Sequence, residues 1–442
     1  MRPDGTYWQP KLETMPRGAL EALQLALLQE TVARAAGSPF YRKRFGEIGL
    51  APGDIRSLDD LAKIPFTTKD DLRDSYPDGM LAVDRSEVIR LHASSGTTGK
   101  STVIFHNRSD IDHWANLCAR CMYGAGVRVG DVFQNMMGYG LFTGGLGLHY
   151  GAEKLGCLTI PASSGNTAKQ IQLIQDFAVT AIHITPSYCL HLADVLWNCE
   201  PCIDPATLTV KRAFTGAEPY SETTRQKLES IYRMDVYDSY GLSEMNGPGV
   251  AFECTQKKGL HVWEDNYILE IIDPASGEPV PDGEDGEIVF TTLRRVAMPF
   301  LRYRTRDLSR VMPGECACGR THRRLERIKG RTDDMLIVRG ANVFPSQIEE
   351  ALLRVEGTAP HYLIEVDRPG AMDELTVRVE MRSQDFSDKM SQMQALRERI
   401  DREIQTVTGI RAKVELVEPQ TLERFVGKAR RVIDHRKDKG KL

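Results

Sequence analysis

Residues 93–102 read ASSGTTGKST. Glycines, hydroxyls and a lysine at this spacing can wrap a polyphosphate: amides and hydroxyls donate to oxygens, and the ammonium offsets their charge. A Walker A loop has the spacing G-x-x-x-x-G-K-[ST] and opens a helix. Here Gly99, Lys100 and Ser101 fit, but Ser94 stands at the first position. The next residues, STVIFH, are β-branched and aromatic and read as a strand. The stretch is therefore read as a phosphate loop between two strands, against the P-loop of an ADP-releasing kinase. A second set has the composition of a metal site. FECTQKKGLH supplies Cys254 and His261, and PGECACGRTH supplies Cys316, Cys318 and His322. Three thiols and an imidazole suit a closed structural Zn²⁺. Cys254, His261, Cys316 and Cys318 are the expected ligands, with His322 set aside.

Elements must position these groups. Apolar spacing predicts an N-terminal helix over 18–36 and another over 109–125. From 87 to 310, short strand-like runs (EVIRLHA, STVIFH, CLTIPA, TAIHITP, VKRAFTG, MDVYDSYG) alternate with helical ones (AKQIQLIQDF, SETTRQKLESIY). That alternation predicts a parallel α/β sheet. After about Arg324 the texture changes. DMLIVRG reads as a strand and SQIEEALLRV as a helix, with Ser346 as N-cap and Glu349 three residues on. HYLIEVDR, ELTVRVEMR, a long helix through MSQMQALRERIDREIQTVTG and AKVELVE complete a β-α-β-β-α-β order, a small α+β unit. RIKGRTDDM is the candidate boundary.

The 442 residues, 41% hydrophobic and 27% charged with net charge −4, describe a globular chain of more than one domain. Nothing favours nucleic acid or an anionic membrane. No apolar run is long enough to span a bilayer, and MRPDGTYWQP lacks a signal-peptide core. Nine scattered cysteines suit a reducing compartment, so a cytoplasmic protein is expected.

The strand–S-S-G-T-T-G-K–strand pattern resembles the phosphate loop of the acyl-adenylate-forming superfamily of acyl-CoA synthetases, luciferases and adenylation domains. FTGAEP (214–219), YGLSE (240–244), YRTRDL (303–308), GRTDDMLIVRG (330–340) and VGKARR (426–431) follow in that superfamily's order. PFTTKDDLRDSYP, GYGLFTGGLGLHYGAE, QLIQDF, ITPSY, RGANVFPSQIEE and GKARRVIDHR extend the likeness over nearly the whole chain, to the phenylacetate–CoA ligase family. The four expected zinc ligands lie outside the pattern that carries this resemblance.

The resemblance implies a fold and a reaction. The fold is α/β, a large N-terminal domain with parallel and mixed sheets plus a small mobile C-terminal α+β lid. The expected parts are a helical segment at 1–85, an ATP- and acid-binding core at 86–331 and a lid at 332–442, hinged near Asp333. A carboxylic acid and ATP give acyl-AMP and pyrophosphate; acyl-AMP and CoA then give acyl-CoA and AMP. Attack of one anion on another needs positive charge at the α-phosphate. Lys428 is implied to supply it, bridging carboxylate and phosphate, and Glu244 to hold Mg²⁺. Asp307 would accept both ribose hydroxyls, with an ion pair to Arg302, Arg304 or Arg306 as the competing role. Ala217, Glu218, Pro219, Asp238, Ser239, Tyr240 and Gly241 would line the adenine slot. Ser94, Ser95, Gly96, Thr97, Thr98, Gly99 and Lys100 would meet the outer phosphates, with Lys69 and Arg331 as further nucleotide contacts. The lid would bring Lys428 in for adenylation, then rotate and present the face near Arg339–Asn342. Tyr139, Phe142, Gly144, Gly216, Ala217 and Pro248 would form a small aryl pocket, against a glycine-rich helix packed in the core as the plainer reading. Phenylacetate leads; indoleacetate, hydroxyphenylacetate and benzoate-like acids stay open, as does a carrier-protein or amine acceptor. A non-catalytic nucleotide-binding module would have lost Lys428, Glu244 or Asp307. The N-terminal helices are expected to offer a homodimer contact.

Overall fold

The computed structural model describes residues 5–94, 101–218, 220–339, 341–369, 372–381, 390–419, 421–423 and 431–436. Of the expected site residues, Ser95, Gly96, Thr97, Thr98, Gly99, Lys100, Pro219 and Lys428 lie outside them. Strands Val88–Ser94 and Thr102–Asn107 pair antiparallel, Ser94 opposite Thr102. The strand after Lys100 rules out the strand–loop–helix arrangement of a Walker A loop. Asn107 ends that strand and caps the next helix, Arg108–Gly124. Its Oδ1 accepts the Asp110 N–H at 2.9 Å, and Asp110 accepts the Asn107 N–H in return.

Five strands form a parallel block in the spatial order Leu158–Ile160, Val132–Asn135, Ala181–Ile184, Arg212–Gly216, Asp235–Leu242. Helices Gly144–Leu155, Thr167–Asp176, Pro186–Asn198 and Glu222–Tyr232 make the crossovers that parallel pairing requires. Gly247–Glu253 then turns back antiparallel, and Leu260–Val262, Arg324–Leu325 and Val311–Met312 extend the sheet to nine strands. The helix Gly144–Leu155 packs on Arg108–Gly124 through its glycines. A Cβ at Gly151 would lie 2.7 Å from Cys118 Cβ, and one at Gly147 2.7 Å from the Trp114 indole nitrogen. At these two positions the glycines serve close helix packing. A four-stranded sheet, Tyr267–Ile272, Gly286–Thr292, Tyr303–Ser309 and Gly330–Arg331, flanks the large one. The predicted N-terminal helix spans Arg17–Ala35 and buries Leu20, Leu28 and Val32. Its Gln24 amide donates to the Glu264 carbonyl at 2.9 Å. Among the described residues no helix is long and apolar enough to cross a membrane. All nine cysteines are free thiols.

The C-terminal unit has the expected order: a hairpin of Leu336–Val338 and Ala341–Val343, the helix Pro345–Leu353, strands Thr358–Asp367 and Glu374–Met381, the helix Met390–Thr408, and the strand Lys413–Val417. Two strands were not anticipated: Ala341–Val343, which pairs antiparallel with Leu336–Val338, and Val432–Asp434, which joins the sheet parallel to Thr358–Asp367. The expected capping by Ser346 is also overturned. Pro345 cannot donate and sets the first helical turn, so extended Phe344 is the cap residue. Gln347 reaches back to the Phe344 N–H at 2.9 Å, and the Ser346 hydroxyl donates instead to the Lys329 carbonyl at 2.9 Å. Glu349 is buried, paired with Arg431.

Candidate active site

The expected adenine-side residues gather at the C-terminal ends of two parallel neighbours, Arg212–Gly216 and Asp235–Leu242, where ligands of open α/β sheets bind. The glycines here are steric necessities. A Cβ at Gly216 would lie 2.4 Å from the Ser239 carbonyl oxygen, and one at Gly241 1.9 Å from that of Gly247. Ala217 takes φ +66°, a left-handed turn that exposes it beyond the strand. Ser187, in the first turn of the helix Pro186–Asn198, donates to both Glu218 oxygens, from Oγ at 2.8 Å and N–H at 3.3 Å. Asp238 is buried, and its N–H donates to the Glu253 carboxylate at 2.8 Å. Burial pushes both carboxyls up, and the Arg327 guanidinium, facing the two at 3.8 and 3.5 Å, opposes it. Among the described residues, the buried Ser239 hydroxyl has no hydrogen-bond partner.

Tyr240 carries the site across to the smaller sheet. Its hydroxyl donates to Asp307 Oδ2 at 2.6 Å, and Arg331 donates to Oδ1 at 3.3 Å. Arg331 also forks onto Asp333 at 2.8 and 3.0 Å. Burial lifts the Asp307 carboxyl to about 6, against the pull of Arg331 and Tyr240. The ion-pair partners considered for Asp307 are overturned. Arg302 pairs with Glu270 and Arg304 with Glu287, because alternate residues of an extended strand point away from Asp307. Glu244 is buried, its carboxylate within electrostatic reach of the Tyr303 hydroxyl, and Arg295 donates to its carbonyl oxygen at 3.0 Å. Thr67 binds to either side of Tyr303, bonding Arg302 O and Arg304 N, and Lys69 opens the helix just beyond it. Ser94 ends its strand opposite Thr102.

On the acid side, Tyr139 is half-buried. Its hydroxyl accepts from Asn135 Nδ2 at 2.9 Å and meets His149 Nδ1 at 3.1 Å. Phe142 is 49% exposed, its ring over Gly144, where a Cβ would lie 2.5 Å away. Pro248 follows Gly247 on the strand beside Gly241, and its carbonyl accepts the Trp114 indole N–H at 2.8 Å. Thr143 bonds Ser243 through their hydroxyls at 3.1 Å, tying this loop to the YGLSE turn.

Residues 54–294 match the family described as AMP-binding enzyme, and residues 340–436 the AMP-binding enzyme C-terminal domain. The chain is 50% identical to the phenylacetate-coenzyme A ligase of Aromatoleum evansii over 96% of each chain. It is 46% identical to that of Escherichia coli (strain K12) over 96% of this chain and 97% of the other.

The chain belongs to the phenylacetate–coenzyme A ligase family.

Like the family, it is an adenylate-forming acid–thiol ligase with ATP and coenzyme A as co-substrates. A crystal structure of 2-hydroxyisobutyryl-CoA ligase in the postadenylation state with 2-HIB-AMP matches with a TM-score of 0.93, at 34% identity over 99% of this chain and 94% of that one. In the thioesterification state, with 2-HIB-AMP and CoA, the score is 0.73 at 35% identity over 100% and 96%. Identity and coverage hardly differ, so this chain shares its arrangement of parts with the postadenylation structure.

A second constellation lies at the far end of the strand Gly247–Glu253. The ligand atoms of Cys254, His261, Cys316 and Cys318 all fall within 4.8 Å of one another. Cys254 Sγ is 3.7 Å from Cys316 Sγ, and Cys318 Sγ is 3.3 Å from His261 Nε2. The His322 carbonyl lies 3.3 Å from His261 Nδ1, so that Nε2 is the ring nitrogen that faces the sulfurs. His322 has other work: Nδ1 accepts the Glu264 N–H at 2.9 Å and Nε2 meets the Leu12 carbonyl at 3.0 Å.

Residues the sequence reading passed over are mostly partners. Arg295 lies outside every stretch quoted above, while Ser187, Glu253, Tyr303 and Arg327 lie inside quoted stretches that gave them no role; the partners of all five come from elsewhere in the chain and meet them only through the fold.

Proposed function

We propose that this ligase activates phenylacetate, giving phenylacetyl-CoA, AMP and pyrophosphate through phenylacetyl-adenylate. What carries the reading is the 46–50% identity, along 96–97% of this chain, to four proteins named phenylacetate-coenzyme A ligase. In this reading Asp307 accepts the two ribose hydroxyls, and Tyr240 and Arg331 keep its carboxylate ionised and aimed. Ala217, Glu218 and Pro219 border the adenine, with Asp238 to Gly241 behind it. Ser94 to Lys100 and Lys69 meet the outer phosphates. Lys428 brings positive charge between carboxylate and α-phosphate, which the attack of anion on anion demands. Glu244, a buried carboxylate, is the residue to hold Mg²⁺, which neutralises phosphate oxygens when bound. Tyr139, Phe142, Gly144, Gly216 and Pro248 surround the aryl ring. The chain divides at 85 and 331, and Asp333, forked onto Arg331, is the hinge of the lid at 332–442. Cys254, His261, Cys316 and Cys318 hold a structural Zn²⁺: four N/S donors within one small buried volume suit tetrahedral coordination. A homodimer through the N-terminal helices and a cytoplasmic location complete the reading.

The test is incubation with ATP, Mg²⁺, CoA and a panel of aryl acids, with every product identified. AMP and acyl-CoA formed together, fastest with phenylacetate, are expected. AMP formation without CoA consumption would move the acyl acceptor elsewhere, and a faster competing acid would replace phenylacetate.

A further inference from the structure

Asn135 ends the parallel strand Val132–Asn135 and is buried. Its side-chain amide uses every hydrogen-bonding position it has. Oδ1 accepts the Met137 N–H at 3.2 Å and faces His183 Nδ1 at 3.1 Å. Nδ2 donates to the Gly145 carbonyl and to the Tyr139 hydroxyl, the latter at 2.9 Å. A backbone N–H can only donate and a carbonyl can only accept, so these contacts fix which end of the amide is which. The Tyr139 oxygen is therefore an acceptor toward Asn135.

The Tyr139 proton must point elsewhere, and His149 takes it. The Tyr139 hydroxyl lies 3.1 Å from His149 Nδ1, and His149 Nε2 lies 3.2 Å from Glu153 Oε1. An ionised carboxylate accepts only, so Nε2 carries the proton of the neutral ring and Nδ1 is left as an acceptor. The chain then runs one way: Asn135 donates to Tyr139, Tyr139 to His149, and His149 to Glu153. Its last two members stand four residues apart on the helix Gly144–Leu155. Both roles of the Tyr139 hydroxyl, donor and acceptor, are engaged inside the protein. Neighbouring donors are committed as well. The Trp114 indole N–H meets the Pro248 carbonyl at 2.8 Å, and Thr143 and Ser243 bond each other at 3.1 Å. What Tyr139 has left for a bound acid is the apolar surface of its ring.

We propose that His149, held by Glu153, is a positioning residue that sets ring selectivity by keeping the Tyr139 proton out of the acid pocket. This rests on the reading that Tyr139 borders the aryl ring. A ring hydroxyl entering such a pocket leaves its water partners and finds no proton donor in Tyr139, whereas a bare ring has no such partners to lose. The pocket therefore selects phenylacetate over its ring-hydroxylated relatives by about 100-fold, the discrimination that an apolar site achieves against an added hydroxyl.

The test is the ratio of kcat/KM for phenylacetate to that for the ortho, meta and para hydroxyphenylacetates, at about pH 8, where an imidazole is neutral. His149→Phe keeps an aromatic ring and removes the acceptor, so the Tyr139 proton is free to meet a ring hydroxyl. The ratio is expected to fall about fivefold or more for at least one isomer, with kcat/KM for phenylacetate within about threefold of the unaltered protein. In a Tyr139→Phe background the same change should move the ratio less than about twofold, because no proton remains to be redirected. Glu153→Ala, at an exposed side chain, removes the acceptor that holds the proton on Nε2. It should lower the ratio about twofold, and it keeps the test decisive if His149→Phe fails to fold. A ratio that falls for no isomer, or that falls equally with and without the Tyr139 hydroxyl, would overturn the proposal. Unchanged kinetics with every acid in Tyr139→Phe would remove Tyr139 from the pocket, and the proposal with it. If the unaltered protein does not activate phenylacetate, the substrate reading fails first.

Discussion

Two buried polar constellations flank the strand pair Asp235–Leu242 and Gly247–Glu253, one built on Tyr240 and the other just past Glu253 on Cys254. Around Asp307 the protein satisfies its own charges: Tyr240 and Arg331 donate to the carboxylate, and Arg331 is shared with Asp333. That arrangement stands by itself, and a nucleotide entering it exchanges one set of donors for another. Around Cys254 three sulfurs and an imidazole face one another within 4.8 Å. Ionised, these thiols would repel; in the zinc site proposed above, the cation would turn that repulsion into a tie fixing the 313–323 loop to the sheet. On the proposed roles, the same burial would serve affinity in one place and stability in the other.

Metal removal is the largest perturbation of this contrast. A strong chelator, or Cys316→Ser, is expected to lower the Tm by on the order of 10 °C, since a structural zinc contributes folding free energy directly. Metal analysis should give one zinc per chain. Absence of zinc together with an unmoved Tm would remove the metal from the account. Asp307→Asn comes next. Losing two charge-assisted bonds to ribose costs about 3 kcal/mol, a fall of about 100-fold in kcat/KM for ATP, with the Tm nearly unchanged. A Tm loss as large as that of Cys316→Ser would erase the distinction between the two sites.

The pH profile tests the same carboxylate. Burial lifts Asp307 to about 6, above the ordinary aspartate value of about 4, so the folded protein holds this proton more tightly than the unfolded chain. Asp307 therefore costs stability as pH rises from about 4 to about 6, and the cost is complete above that window. Ribose recognition needs the ionised form, so kcat/KM for ATP should rise over the same window with an acid limb near 6. Asp307→Asn should abolish that limb, and a limb that survives belongs to another group. Tyr240→Phe is the mildest change. One lost hydrogen bond of about 1 kcal/mol gives a several-fold fall in kcat/KM for ATP. Because the Tyr240 hydroxyl lowers the Asp307 carboxyl, its removal should shift the acid limb to higher pH.

Much of this was legible in the chain. Strand–loop–strand around residues 95–100 follows from β-branched STVIFH, and the parallel block from strands alternating with helices. Cys254, His261, Cys316 and Cys318 could be chosen together because soft ligands are rare and each carries its chemistry in its side chain. Glu349 shows the limit. Three residues after Ser346 it imitates a capping box, yet Pro345 moves the cap to Phe344 and leaves Glu349 buried beneath Arg431. Nothing local announces that pairing, 82 residues apart. The same holds for Arg331, which displaced the nearer Arg302, Arg304 and Arg306 as the partner of Asp307.

By itself the sequence determined which elements form and which residues carry reactive groups, because periodicity, turn chemistry and side-chain type are local properties. Only the tertiary structure decided which charge meets which, because desolvation and Coulomb attraction act between neighbours in space, and those neighbours come from segments far apart in the chain.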